Sequence, residues 1–210
     1  MALDGRARLR TTGLGQFNVY NALAVCSSLL AQGHSLNAVS RVMYELKSCP
    51  GRMEVVMCSP VVVVDYAHTP DALENVLQTL IKFKVQDTSS KLWVIFGCGG
   101  DRDRSKRPIM GEIASKYADM VVITSDNPRK ESPASIVDAI AAGVSSNTKL
   151  MKILDRAQAI REVLHLANKN DIILIAGKGH ESYQEVGTER LFFSDQAIVR
   201  ADALINASAC

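Results

Sequence analysis

The sequence has no long apolar run and little cysteine, and each of these absences excludes a class of protein. No apolar stretch approaches the ~20 residues that a membrane span requires, and the opening MALDGRARLR contains no apolar signal-peptide core. The five cysteines are scattered and form no Cys-x-x-Cys pair, so we expect neither a disulfide framework nor a zinc site. A cytoplasmic protein is therefore expected.

An excess of charge of one sign is also missing. The 24 basic and 22 acidic residues leave a formal net charge of +2, and acidic residues interrupt the densest basic stretch, 102–107. Nucleic-acid binding is therefore not expected. The content of 47% apolar and 22% charged residues is ordinary for a globular protein. The 210 residues suffice for one core, or for one domain and a piece of another.

Helical and strand patterns divide the chain into two parts. Residues 17–47 show helical spacing on both sides of Gly33-His34-Ser35, and SCPGR at 48–52 ends that pattern. We therefore predict a helical segment at 1–49 and a second domain at 50–210.

In the second part, short β-branched runs such as VVVVDY alternate with helical patterns. Strands that are apolar throughout are buried on both faces of a parallel sheet. The predicted fold class is therefore α/β, a Rossmann-like and mostly parallel sheet flanked by helices. An additional edge strand is expected at 189–195. The predicted strands are 61–66, 91–97, 119–125, 150–154 and 171–177, and the predicted helices are 70–82, 107–117, 133–144, 156–168 and 195–207.

Polar, glycine-rich segments follow four of the predicted strands. They are residues 65–68, 97–104, 125–129 and 177–181. Ligands of open α/β sheets bind beyond the carboxyl ends of the strands. The four segments together therefore predict a ligand site at that edge.

The first two segments have features suited to a nucleotide or another anion. In DYAHTPDAL, Asp65 and His68 suit hydroxyls and phosphates, although Thr69 and Pro70 could equally mark only a helix cap. In FGCGGDRDRSKRP, the glycines let backbone N–H groups approach an anion and the arginines add donors. The alternative for that segment is a flexible loop with solvated charges. It is not a Walker A loop, because its spacing differs.

The last two segments suit the head group of an amino acid. In SDNPR, Asp126 can bind an ammonium group and Arg129 can bind a carboxylate through two hydrogen bonds. Glu181, in AGKGHESYQ, is a second ammonium partner. The alternatives are an Asp126–Arg129 pair that neutralises itself and a glycine-rich turn with a carboxylate at a helix start.

Six segments in one order carry a family resemblance. GQFNVYNALA, PGRMEVV, VDYAHTPDALENVL, FGCGGDRDRSKRPIMG, TSDNPRKESP and GKGHESYQ resemble the C-terminal part of the Mur ligases, most closely those that add meso-diaminopimelate. The resemblance implies an ATP-dependent amide-bond ligase of peptidoglycan synthesis. Such an enzyme phosphorylates the carboxylate of UDP-MurNAc-L-Ala-D-Glu to an acyl phosphate, which the incoming amine then attacks.

The resemblance also implies roles for individual residues. Those matching the meso-diaminopimelate pocket are Arg102, Asp126, Asn127, Pro128, Arg129, Gly177 and Glu181, with Arg129 on the second carboxylate of the ligand. Those matching nucleotide contacts are Asn18, Arg52, Asp65 and His68. No catalytic residue and no metal ligand is assigned within this sequence.

The sequence departs from the family pattern in one respect. The only Gly-Lys, Gly177-Lys178, is followed by Gly179, so the Gly-Lys-[Thr/Ser] phosphate loop is missing. In the family this loop and the Mg²⁺ site lie in a central domain, of which 1–49 resembles only the end. We therefore expect a fragment without ligase activity of its own. The alternatives are a lysine-adding or folylpolyglutamate-type ligase domain, or a stand-alone module that binds an amino acid or a nucleotide.

Overall fold

The computed structural model describes residues 15–45, 49–84 and 89–208. The chain divides into two compact units, Met1–Cys49 and Pro50–Cys210. Predictions for residues 1–14 and 46–48 lie outside the described residues.

The described residues of the first unit form two helices, as the helical spacing predicted. Helix α1 (Gln16–Ala31) and helix α2 (Leu36–Glu45) are joined by a turn in which Gly33 has a φ of 90°. Cys26, Val39 and Met43 form a small core between them. The left-handed backbone at Gly33 is readily available only to glycine, which explains the break between the two helical patterns.

The second unit is built on a six-stranded sheet with the order β1-β2-β6-β3-β4-β5. Neighbouring strands are parallel except β1 and β2, which are antiparallel. The predicted mostly parallel sheet is therefore confirmed. The strands are β1 (Glu54–Cys58), β2 (Val61–Asp65), β3 (Leu92–Phe96), β4 (Met120–Ile123), β5 (Lys149–Lys152) and β6 (Ile172–Ala176).

Helices cover the sheet because its central strands are apolar on both faces. Val62 and Val64 of β2 belong to a cluster with residues of the last two helices, whereas Val63 between them points to the opposite face. In the described residues, no helix combines the length and apolar character needed to cross a bilayer. The helices are α3 (Pro70–Ile81), α4 (Lys106–Tyr117), α5 (Pro133–Ala141), α6 (Arg156–Leu166) and α7 (Asp195–Ser208).

The prediction of an edge strand at 189–195 is wrong. Strand β8 (Glu189–Phe192) pairs instead with β7 (Tyr183–Val186) in a separate antiparallel hairpin. All four residues of β8 are exposed, so that strand has no apolar face to place against the core. The outer strand beside β2 is β1, which the sequence patterns did not identify.

The strand order brings the predicted ligand segments together. Strands β2, β6, β3 and β4 are consecutive and parallel, so the loops at their carboxyl ends lie side by side. The backbones of two of these loops touch: a Cβ on Gly97 would lie 2.2 Å from the carbonyl oxygen of Thr124. Only glycine permits this approach.

A buried ion pair joins the starts of α6 and α7 beneath this edge. Arg156 donates from Nε and Nη2 to the two carboxylate oxygens of Asp195, each at 2.8 Å. Nη2 also donates to the carbonyl oxygen of Ala176 at 3.0 Å, at the end of β6. Both side chains are fully buried. The pair therefore fixes the end of β6 relative to both helices.

We expect Asp195→Asn to lower the free energy of unfolding by about 3–5 kcal/mol, because it leaves the buried Arg156 charge without its counter-ion. Urea denaturation measures this. The control is Asp138→Asn, which removes the exposed pair with Lys152 and should cost under about 1 kcal/mol. Equal effects of the two substitutions would contradict this account of the buried pair.

Candidate functional site

A cavity of about 560 Å³ opens at the carboxyl edge of the sheet. Its walls come from the segments that follow β2, β3, β4 and β6, which are the four segments singled out by the sequence. The predicted site residues that line it are His68, Arg102, Asp126, Asn127, Arg129, Gly177 and Glu181. The structure therefore brings most of the predicted pocket into one place.

Asp126 lies at the buried end of this cavity, with 8% of its surface exposed. Its backbone carbonyl accepts a hydrogen bond from Nε2 of Gln184 at 2.7 Å. Burial raises the pKa of the Asp126 carboxyl, and the nearby charges of Arg156 and Lys178 oppose that rise. The carboxylate thus lies in a desolvated position where a ligand cation gains most from it.

Gly177 makes room for this carboxylate. Its φ is 115°, and a Cβ at this position would lie 2.5 Å from Oδ2 of Asp126. Both the left-handed backbone and the space favour glycine. Gly177 therefore shapes the acidic end of the cavity without offering a side chain to the ligand.

Both polar atoms of the Asn127 side chain make hydrogen bonds within the protein. Nδ2 donates to Oε2 of Glu181 at 3.0 Å. Oδ1 accepts from Nζ of Lys178 at 3.0 Å and from the backbone N–H of Glu185 at 2.9 Å. The carboxamide therefore joins the loop after β4 to the loop after β6 and to the β7–β8 hairpin.

Arg129 lines the same cavity as Asp126 and Glu181, on a backbone with a φ of 51°. Its N–H donates to the carbonyl of Glu185 and its carbonyl accepts from Gly187. Its guanidinium pairs through Nε with Glu185 at 2.9 Å and donates from Nη1 to the carbonyl of Gly100 at 2.9 Å. In the described residues Arg129 pairs with Glu185 and not with Asp126, so the alternative of a self-neutralising Asp126–Arg129 pair is not observed.

The basic residues of the loop after β3 have different surroundings. Arg102 lines the cavity and is exposed. Arg107 is buried, and its Nη1 and Nη2 bind Glu131 at 3.1 and 2.9 Å. Glu131 also accepts from the backbone N–H of Asp101 at 2.6 Å, and the Arg107 guanidinium is the main cause that lowers its pKa to about 2. The sequence analysis had offered the arginines of this segment as donors to an anionic ligand. Arg107 instead binds Glu131 and stabilises the loop.

The four predicted nucleotide contacts are distributed over both units. Asn18 belongs to α1 of the first unit. Asp65 is buried, and its two oxygens accept from the backbone N–H groups of Met53 and Ala67 at 2.8 and 2.7 Å. His68 lines the cavity, and the exposed Arg52 lies over the Tyr66 ring beside it, 4.7 Å from the ring centroid. Their role in nucleotide binding stays a prediction.

Two residues missed by the sequence reasoning hold the site together. Glu185 pairs with Arg129 on one side and with Arg190, at 2.9 Å, on the other. Lys178 is buried and contacts Asn127 and Glu181. Lys178 had a usable signal, since it is a charged residue between two glycines at a strand end. Pro128, which was predicted as a site residue, is buried and does not line the cavity, and its carbonyl faces Gly100.

No metal centre is present among residues 15–45, 49–84 and 89–208, where no group of three or more His, Cys, Asp or Glu side chains could hold an ion. The fold and cavity together define an open α/β domain with a cavity at the carboxyl edge of its sheet, lined by side chains of both charges.

The comparisons with known proteins agree with this class. The family profile described as "Mur ligase, glutamate ligase domain" matches residues 51–179. The chain therefore belongs to the Mur ligase family. Over 200 residues it is 44% identical to the UDP-N-acetylmuramoyl-L-alanyl-D-glutamate–2,6-diaminopimelate ligase of Geobacillus kaustophilus, covering 94% of this chain and 40% of that protein.

Solved structures show the same fold. The structure of a UDP-N-acetylmuramoyl-L-alanyl-D-glutamate–2,6-diaminopimelate ligase matches with a TM-score of 0.71 and 42% identity, over 100% of this chain and 42% of that one. E. coli FolC in complex with ADP matches with a TM-score of 0.62 and 20% identity, over 97% of this chain and 42% of that one. The second likeness concerns the fold alone. The chain thus spans about two fifths of the length of its relatives.

We expect Gly177→Ala to lower the free energy of unfolding by about 2–4 kcal/mol, because the methyl group meets the Asp126 carboxylate and the φ is unfavourable. Urea denaturation provides the measurement. Gly187 is the matched control, since its φ is 61° but nothing lies within 4 Å of an added Cβ. Gly187→Ala should therefore cost only about 1 kcal/mol. A loss no larger at Gly177 than at Gly187 would contradict the close approach of Asp126.

The Arg107–Glu131 brace gives a pH-dependent prediction. The folded-state pKa of Glu131 is about 2, against 4.5 without the fold. Its stabilising contribution is therefore present above pH 4.5 and is lost as the pH falls toward 2. Glu131→Gln should make unfolding free energy depend less on pH across this window, measured by urea denaturation at several pH values. The exposed Glu112→Gln serves as control, and equal slopes for wild type and Glu131→Gln would refute the prediction.

Proposed function

We propose that this chain is the C-terminal, amino-acid-binding part of a ligase of the MurE type. The complete enzyme would use ATP to join meso-diaminopimelate to UDP-MurNAc-L-Ala-D-Glu. The observation that carries the proposal is that the cavity is lined by Asp126 and Glu181, which together form its acidic wall, and by Arg129. The diaminopimelate ligases among its relatives support the choice of amino acid.

The cavity suits one complete amino-acid head group. An ammonium group beside Asp126 and Glu181 would offset two carboxylates that are poorly solvated. A carboxylate near Arg129 would use guanidinium hydrogens that the contacts with Glu185 and Gly100 leave available, because an arginine has five N–H donors. Meso-diaminopimelate carries two such head groups, so one can be held here while the amine of the other reacts.

The role of this chain in the reaction is to hold the nucleophile. In the proposed reaction, the substrate carboxylate first takes a phosphoryl group from ATP and becomes an acyl phosphate. The unprotonated amine then attacks the acyl carbon, the C–N bond forms, the amine loses a proton, and inorganic phosphate leaves. Fixing the far head group makes this attack effectively intramolecular, and this positioning is the contribution of the cavity.

We assign each of the four predicted nucleotide contacts to one part of ATP. Arg52 and His68 flank the Tyr66 ring and are exposed, which suits them to phosphate groups. Asp65 retains acceptor capacity beyond its two backbone hydrogen bonds and suits a ribose hydroxyl. Asn18 is proposed near adenine. The described residues offer no cluster suited to Mg²⁺, so no metal-dependent step is assigned to them.

Calorimetric titration of this chain tests the amino acid. We expect it to bind meso-diaminopimelate more tightly than lysine. Either ligand can present one complete head group to Asp126, Glu181 and Arg129, but only meso-diaminopimelate then has a second carboxylate for Arg102, which also lines the cavity. Arg129→Lys should weaken meso-diaminopimelate binding by about tenfold or more, because lysine cannot donate two parallel hydrogen bonds. The exposed Arg161→Lys should leave binding unchanged.

Each other outcome has a definite meaning. Equal or tighter binding of lysine would favour the lysine-adding alternative over the diaminopimelate assignment. Binding of neither amino acid by a folded chain would overturn the proposal that this domain holds the amino acid by itself.

A further inference from the structure

Lys178 is a charged residue with no exposed side-chain surface. It follows β6 between Gly177 and Gly179, whose φ values are 115° and 52°. Burying an ammonium group is costly unless other groups compensate its charge and hydrogen bonds. An apolar side chain would fill the same volume without that cost. The lysine therefore requires an explanation beyond packing.

Two hydrogen-bond acceptors and two aromatic rings surround Nζ and compensate the burial of its charge. Nζ donates to Oδ1 of Asn127 at 3.0 Å and to Oε2 of Glu181 at 3.3 Å. The rings of Tyr183 and Phe193 lie with their centroids 5.6 and 5.9 Å from it. Both hydrogen-bond acceptors are residues of the proposed amino-acid site. The ammonium group is therefore connected to that site and not only to the core.

These contacts decide how the Asn127 carboxamide is turned. A carboxamide has a donor end and an acceptor end. The Lys178 ammonium and the Glu185 N–H are both donors, so together they require Oδ1 to face them. Nδ2 then faces Glu181 and binds its Oε2 at 3.0 Å. Oε2 of Glu181 thus receives two hydrogen bonds within the protein, which leaves Oε1 for a ligand.

We propose that Lys178 is a positioning residue of the amino-acid site, which orients Asn127 and Glu181 and keeps the acidic wall ready for a ligand ammonium group. It acts through these two side chains and does not itself line the cavity. The proposal rests on the function proposed above, because the ligand is the one named there.

Electrostatics support the same role. The charged groups that act on the Asp126 carboxyl are Arg156, Lys178, Glu181 and Asp195. The two cations oppose the effect of burial on the Asp126 pKa, and the two acids reinforce it. Removing Lys178 takes away one of these two cations. The pKa of Asp126 should then rise further.

The test compares Lys178→Met, which keeps the length and removes the charge, with Lys178→Arg, which keeps the charge and the donors. Calorimetry with meso-diaminopimelate should show binding weakened about tenfold or more in the methionine variant. The arginine variant keeps the charge and the donors in a larger group, and should bind meso-diaminopimelate more tightly than the methionine variant. Lys152→Met removes an exposed, paired lysine and is the matched control with unchanged affinity.

Two measurements without ligand separate positioning from packing. In the methionine variant, the side-chain amide signal of Asn127 in the ¹H–¹⁵N spectrum should shift, because Oδ1 loses a charged donor. A ¹³C titration of the Asp126 carboxyl should show a higher pKa than in wild type. Lys178→Gln, which has a donor but no charge, replaces the methionine variant if the latter does not fold, with the same expected losses.

The outcomes distinguish this proposal from the proposed function. A folded, uncharged variant that binds meso-diaminopimelate like wild type, with unchanged Asn127 and Asp126 signals, overturns the positioning role. A wild-type chain that binds no meso-diaminopimelate, while both signals shift in the variant, overturns the proposed function and supports the placement of Asn127 by Lys178.

Discussion

The site depends on the carboxamide of Asn127, which joins three separate parts of the chain. It contacts Lys178 and Glu181 in the loop after β6 and the backbone of Glu185 in the β7–β8 hairpin. The hairpin has no strand partner in the main sheet. Its attachment to the site therefore rests on polar contacts of this kind, including those of Arg129 with Glu185 and Gly187.

The charged residues in and around the cavity differ in whether they have a partner within the protein. Ion pairs that serve the scaffold, Arg156–Asp195 and Arg107–Glu131, are made among protein groups and lie at its margins. Asp126 has no such dedicated partner among the described residues. Two cations, Arg156 and Lys178, and two acids, Glu181 and Asp195, act on its carboxyl at longer range. The Asp126 carboxylate therefore has no directly paired cation among the described residues, and the ammonium group of the proposed ligand would supply one.

The strands and helices of the main sheet could be predicted from the sequence because they follow from local patterns of apolar and capping residues. Apolar runs such as 172–176 could be assigned to buried strands, and Thr69-Pro70 marked a helix start at which Thr69 accepts from the N–H of Ala72. The hairpin strand at 189–192 was misplaced because its exposed residues carry no pattern that specifies a partner. The site residues were found from glycine and charge at strand ends. The contacts that Glu185 and Lys178 make with these site residues were not predicted, because they depend on side-chain geometry between segments that are distant in the sequence.

The strand order also determines when the domain can fold. Strand β6 is the last strand of the main sheet in the sequence, yet it lies between β2 and β3 at the centre. A ribosome must therefore translate through residue 176 before the two halves of the sheet can meet. Until then, β2 and β3 present unpaired apolar edges, a state prone to aggregation and slow to resolve. Because residues 177–181 follow directly, this loop of the candidate site emerges from synthesis together with the strand that closes the core.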